Sequence, residues 1–113
     1  MLEVYQVAEK IESCNNFLQT LCKQLDELGL EKVSAEVNYD KELEIALEYL
    51  ADEKVPVTIR KDRAKGILAK NGTTERLKMA EIRYKALHTK IKAAESALSA
   101  WQSYNKYLDI GAN

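Results

Sequence analysis

The residues best suited to chemistry are cations in the middle of the chain. They lie in a short segment around residues 60 to 70 and at the start of the segment that follows. The candidate phosphate-binding residues are Arg60, Lys61, Arg63, Lys65, Lys70, Arg76 and Lys78. Guanidinium and ammonium groups neutralise the phosphates of nucleic acids without reading sequence. Single-stranded DNA is therefore a candidate partner.

A second chemical pattern is a group of carboxylates earlier in the chain, Glu42, Glu44 and Glu48. An acidic helix face can imitate phosphate and occupy the phosphate-binding site of another protein. The same pattern is also typical of a helix face that water solvates. The sequence leaves both interpretations open.

Signatures of catalysis are missing from the sequence. The sole histidine, His88, has no cysteine or carboxylate at metal-ligand spacing, and no glycine-rich phosphate loop is present. Cys14 and Cys22 would lie about 12 Å apart along a helix, beyond disulfide reach. We therefore predict a protein that is not an enzyme, has no metal, cofactor or small-molecule substrate, and resides in a reducing compartment.

Length and composition favour one helical domain over residues 1–113. The chain is 46% hydrophobic and 31% charged, with four glycines and one proline. It contains no long uncharged apolar run, and its first residues lack the basic and apolar blocks of a signal peptide. These features predict a soluble, cytoplasmic protein that does not enter a membrane.

Charge is segregated along the chain, although the net charge is only −1. Residues 1–53 hold 13 acidic and 4 basic side chains, whereas residues 54–92 hold 3 acidic and 12 basic ones. One interpretation is that the acidic helices fold back on the basic ones, so that the two fields largely cancel. The other is that the basic half binds phosphates.

The elements that position these residues are predicted to be helices at about 2–28, 33–54, 59–70 and 73–108. Gly29 followed by Leu30 suggests a helix stop, Pro56 ends the second helix, and Thr58 is a plausible N-cap for the third. Asn71-Gly72 separates the last two helices. The predicted fold is all-α, an elongated helical bundle or coiled coil of three long helices plus one short helix.

The last predicted helix carries an apolar residue at alternating spacings of three and four, which is a heptad pattern. The positions are Leu77, Ala80, Tyr84, Leu87, Ile91, Ala94, Leu98, Trp101 and Leu108, with Asn105 the one polar member. This helix is predicted to be about 54 Å long and the first about 40 Å, so part of it would need cover from a second copy. The predicted homo-oligomer interface comprises Leu87, Ile91, Leu98, Trp101, Tyr104 and Leu108.

A loose pattern over residues 55–108 resembles short, all-helical proteins encoded by bacteriophages and prophages. The residues that carry it are Pro56-Val57-Thr58-Ile59-Arg60-Lys61, Ala64-Lys65-Gly66, Ala80-Glu81, Tyr84, Leu87, Gln102-Ser103 and Leu108. Proteins of that kind often accompany recombination and replication functions that handle single-stranded DNA. The resemblance implies an accessory role in the cytoplasm of a bacterial host and supplies no catalytic residue.

Three functional hypotheses follow. The leading one is an oligomeric, non-enzymatic phage accessory protein that works by helix-mediated contact, with single-stranded DNA or a recombination or replication protein as its partner. One alternative is a phage-encoded inhibitor or adaptor that binds a phage or host protein, for instance a bacterial defence complex, through its acidic helices. The other is a structural component of the virion.

Overall fold

The computed structural model describes the backbone of residues 3–112 and the side chains of residues 3–109. It contains three helices, α1 (Val4–Asp52), α2 (Val57–Lys70) and α3 (Thr73–Ala112). Over these residues no strand is formed. The all-α prediction is confirmed, with two long helices and one short helix in place of three long and one short.

The helix stop predicted at Gly29 is wrong, because α1 continues through it without interruption. The two helices predicted at 2–28 and 33–54 are therefore one. Positions that are not exposed recur at Leu25, Leu28, Lys32 and Ala35, so the heptad spacing passes the glycine in register. The ring of Tyr84 lies over Gly29, with its Cε2 atom 3.5 Å from where a β-carbon would stand. Packing on both sides thus outweighs the cost of about 1 kcal/mol that glycine carries in a helix.

The signal that ends α1 lies at Lys54 and Val55. Lys54 has a left-handed φ of 59°. Its amide donates to the carbonyl of Ala51 and the Val55 amide to that of Leu50, both at 3.0 Å. These two hydrogen bonds form a Schellman motif with lysine in the place that glycine usually takes. Val55 packs on the core below, and Pro56 follows.

The short helix α2 begins two residues before its predicted start. Pro56 occupies the N-cap position and no side chain caps the helix, so the prediction that Thr58 is the cap is wrong. At the other end, Gly72 adopts a φ of +80°, a conformation that favours glycine, and its amide donates to the Ala69 carbonyl. This turn separates α2 from α3 at the predicted place.

The chain forms two compact units. Unit 1 comprises residues 1–26 and 85–113, and unit 2 comprises residues 27–84. The sequence places six acidic and six basic side chains in unit 1, and twelve acidic and eleven basic ones in unit 2. The segregation along the chain therefore disappears within each unit, as expected if the acidic half of α1 folds against the basic segments.

The core of unit 2 lies between α1 and α2. Ala46 and Leu50 from α1 meet Ala64 and Leu68 from α2, each at most 6% exposed. Partly buried hydrophobic side chains surround them: Tyr39, Leu43, Leu47, Val55 and Ile67. This packing holds α2 firmly on α1, which is what fixes the position of its cations.

The beginning of α3 also packs on α1 within unit 2. Ala35 and Glu31 share a groove with Arg76 and Met79, while Gly29 contacts Tyr84, so the two helices run antiparallel here. Lys32 Nζ lies 5.0 Å from the centroid of the Tyr84 ring, a cation–π contact. The heptad position Tyr84 is thus covered within its own chain.

In unit 1 the buried side chains come from both helical segments. They are Val7 and Leu21 from α1 and Leu87, Ile91 and Ala94 from α3, each at most 9% exposed. A groove lined by Phe17, Leu21 and Gln24 on one side and by Lys90 and Ala93 on the other marks where the segments meet.

One premise of the oligomer prediction does not hold. The predicted length mismatch assumed a first helix shorter than the last, whereas α1 has 49 residues and α3 has 40. None of the ten heptad positions of α3 is exposed. The heptad positions of α3 are thus buried or partly buried within the protomer.

Candidate nucleic-acid interface

The helix α2 has one buried face, which packs on α1, and it carries exposed cations on its other faces. Ala64 and Leu68 are 0% and 1% exposed, which fixes the inward face of this helix. With 3.6 residues per turn, that face also includes Arg60 and Ile67. The remaining cations of α2 are all exposed: Lys61, Arg63, Lys65 and Lys70.

Arg60 has a local structural contact. Its Nη2 and Nε atoms donate to the carbonyl oxygen of Val55 at 2.7 and 3.3 Å. This guanidinium therefore clamps the turn between α1 and α2. The contact supplies a reason for arginine at this position that does not involve a nucleic acid.

The four exposed cations of α2 fall on two flanks of the helix. Lys61 and Lys65 are one turn apart on one flank, and Arg63 and Lys70 are seven residues apart on the other. Gly66 and Asp62 lie between the flanks on the outermost side. An elongated polyanion that lies along α2 could contact cations on both flanks. The helix is narrow, so side chains from either flank can extend to the phosphates of one strand.

The two candidates on α3 lie in different surroundings. Arg76 donates from Nη2 to Thr73 Oγ1 at 3.4 Å, and it lines two grooves in which Glu31 is the facing acid. Arg76 and Lys78 are both exposed. Arg76 therefore lies beside an acid of its own chain and remains accessible, and α2 has the higher density of exposed cations, four in 14 residues.

The three glutamates of the alternative hypothesis do not share one surface. Glu44 and Glu48 are exposed and one turn apart, whereas Glu42 is half-buried on the side that faces the core. Glu42 therefore does not share the exposed face of the other two glutamates. Asp40 and Asp52 are also exposed and continue that face at four-residue spacing.

The residues predicted to form an oligomer interface are mostly covered within the protomer. Leu87 and Ile91 are 4% and 9% exposed. Leu98, Trp101, Tyr104 and Leu108 are partly buried. Trp101 and Tyr104 make an edge-to-face contact with ring centroids 6.3 Å apart, and Tyr104 stacks on Tyr107 at 6.4 Å. The aromatic side chains thus pack on one another along the helix.

The structure also locates the groups considered for catalysis. Cys14 is partly buried, Cys22 is exposed, and both are free thiols. His88 is exposed. Among residues with described positions, no three His, Cys, Asp or Glu side chains cluster in a way that could hold a metal ion.

Sequence reasoning missed a set of exposed hydrophobic side chains on the outer faces of α1 and α3. In unit 2 they include Leu30, Val33 and Val37 on α1, at 73%, 55% and 48% exposure, and Met79 and Ile82 on α3, at 44% and 61%. Their spacing of three and four residues was the available signal.

Comparison with protein-family models, curated proteins and solved structures yields no match to this chain. A search of the described helices for a membrane-spanning segment finds none of sufficient length and apolar character.

Proposed function

We propose that this protein is a non-enzymatic, helix-based binding protein that contacts a polyanion, with single-stranded DNA as its ligand, through the exposed cations of α2. On the resemblance to phage-borne proteins, that DNA would be a strand exposed during recombination or replication. Binding would be mainly electrostatic, because lysine and arginine contacts to phosphate carry no base specificity.

The observation that supports this proposal is the presentation of α2. Its inward face is buried almost completely through Ala64 and Leu68, and its four outward cations are all exposed. A helix held in this way does not need to be ordered when a ligand binds, which lowers the entropic cost of binding. Arg60 is not part of the proposed site, because its guanidinium donates to the Val55 carbonyl in the turn before α2.

The test is a binding titration with a fluorescent single-stranded oligonucleotide over a range of salt concentrations. The variant replaces Lys61, Arg63, Lys65 and Lys70 with glutamine. Each phosphate contact to a single strand contributes about 0.7 to the slope of log affinity against log salt. Loss of four contacts should therefore lower the slope by about 3 and abolish measurable binding at physiological salt.

The matched control removes the same number of charges from unit 1. Lys10, Lys23, Lys92 and Lys106 are also exposed, and their replacement with glutamine gives the same net charge. This control should retain most of the wild-type affinity. Equal loss in both variants would mean that only net charge matters, and an absence of wild-type binding at low salt would remove DNA from the proposal.

A further inference from the structure

Two exposed apolar stripes in unit 2 have flanking charges of opposite sign. Stripe A consists of Leu30, Val33 and Val37 on α1, and stripe B consists of Met79 and Ile82 on α3. Together they leave five large hydrophobic side chains between 44% and 73% exposed. Exposed apolar side chains arranged along one helix face are characteristic of surfaces that another helix covers.

The surroundings of stripe A are acidic. Within one helical turn of its members lie four acids, Glu27, Glu31, Glu36 and Asp40, against two cations, Lys32 and Lys41. Arg76 of α3 also shares a groove with Leu30. Glu36 also forms an ion pair with Lys32: the Lys32 Nζ atom is 3.7 Å from the Glu36 Oε1 atom. A partner for this stripe therefore needs an apolar centre and a basic border.

The surroundings of stripe B are basic. Arg76, Lys78 and Arg83 lie within one turn of Met79 and Ile82; the nearby acids are Glu75 and Glu81 on the same helix and Glu31 of α1, which shares a groove with Met79. A partner for this stripe needs an apolar centre and an acidic border. Each stripe thus has the chemistry that the other one requires.

We propose that stripe A of one copy of this chain packs against stripe B of a second copy. Within one protomer both stripes are exposed, so neither covers the other. Between copies, the aliphatic side chains of stripe A would pack on Met79 and Ile82, and the acidic and basic borders would face each other. Complementary borders favour this pairing over contacts between like stripes, where like charges would repel.

The contact is independent of the DNA proposal, because α2 takes no part in it. It also differs from the sequence-based interface, since Leu87 and Ile91 are buried within the protomer. The glutamine variant of α2 should therefore associate with itself as the wild type does, whatever its affinity for DNA.

The experiment is sedimentation equilibrium of the full chain at concentrations up to about 500 μM, a range that detects weak association. Val33→Lys places a cation in stripe A, and Ile82→Glu places an anion in stripe B. Each variant alone should remain monomeric. In Val33→Lys every stripe A carries a new cation that faces the basic border of stripe B, and in Ile82→Glu every stripe B carries a new anion that faces the acidic border of stripe A. Both positions are exposed, and lysine and glutamate are good helix formers, so the fold should persist.

Mixing the two variants gives the decisive result. The Val33→Lys chain retains an intact stripe B and the Ile82→Glu chain an intact stripe A, so an equimolar mixture should recover association. Raising the salt from about 0.05 to about 0.5 M should weaken it, because screening reduces attraction between the borders.

The matched control is Ile45→Lys, which changes another exposed aliphatic side chain of α1, 58% exposed and outside stripe A. It should associate like the wild type. Three results would each overturn the proposal: a wild-type chain that stays monomeric throughout, a mixture that associates no better than its components, or a control that is as impaired as Val33→Lys.

Discussion

Two sites, one inside α1 and one just after it, resemble helix C-termini, and α1 ends at only one of them. At Gly29-Leu30 the residue types match a left-handed stop, yet the helix continues. At Lys54-Val55 the residue in the left-handed conformation is a lysine, and the helix ends there. The difference is that heptad positions continue in register beyond Gly29, whereas Pro56 lies two residues after Lys54 and follows Val55 directly. Packing along the whole helix therefore outweighs the preference of a single residue.

The largest effect is expected from a proline that interrupts α1 at Gly29. In Gly29→Pro, the ring would clash with the preceding turn and remove a hydrogen bond in the middle of α1. We expect a loss of about 3 kcal/mol or more in the free energy of unfolding, measured by urea denaturation. A change below about 1 kcal/mol would mean that the two sides of Gly29 do not depend on a continuous helix.

The next variant tests the turn at Lys54 and Val55 that ends α1. Arg60→Ala removes the two hydrogen bonds that the guanidinium donates to the Val55 carbonyl. Hydrogen bonds from charged donors contribute about 1.5 to 3 kcal/mol, and partial exposure puts the expected loss at the lower limit. Thermal unfolding provides the measurement, and Arg63→Ala, at an exposed position of the same helix, should change the stability little.

A smaller effect in the opposite direction is expected at the left-handed residue. Lys54→Gly should raise the free energy of unfolding by about 1 kcal/mol, because glycine adopts a positive φ without steric strain. Chemical denaturation of the wild type and of Lys41→Gly, where the glycine falls inside α1, gives the contrast. Stabilisation by both substitutions would contradict the conformational explanation.

The smallest expected effect concerns the glycine that does not end the helix. Gly29→Ala should stabilise the protein by about 0.5 kcal/mol, because alanine favours the helix and its methyl group would make ordinary contact with Tyr84 at 3.5 Å. Differential scanning calorimetry can resolve the shift. A fall in stability would show that Tyr84 requires the closer approach that glycine allows.

Much of the fold could be predicted from the order of residue types. The all-α class, the turn at Asn71-Gly72 and the stop before Pro56 follow from local conformational preferences. The inward positions of α3 were also predictable, and none of them is exposed. These features depend on the period of a helix and on turn chemistry, which act over a few residues.

Less of the candidate site could be predicted. The cations of α2 were identified by type, but the sequence did not separate Arg60, which holds a turn, from Lys61, which faces solvent. That division depends on which face of α2 packs on Ala46 and Leu50. The burial of Leu87 and Ile91 within the protomer likewise depends on distant residues.

Local residue order is enough to specify helices with continuous apolar faces and segregated charges. Tertiary packing is needed to specify which segments cover those faces, that Gly29 lies inside a helix, and which cations remain accessible. The two kinds of information differ in range. Helical periodicity is a local property of neighbouring residues, whereas the choice of packing partner depends on contacts such as that between Tyr84 and Gly29, which join residues far apart along the chain.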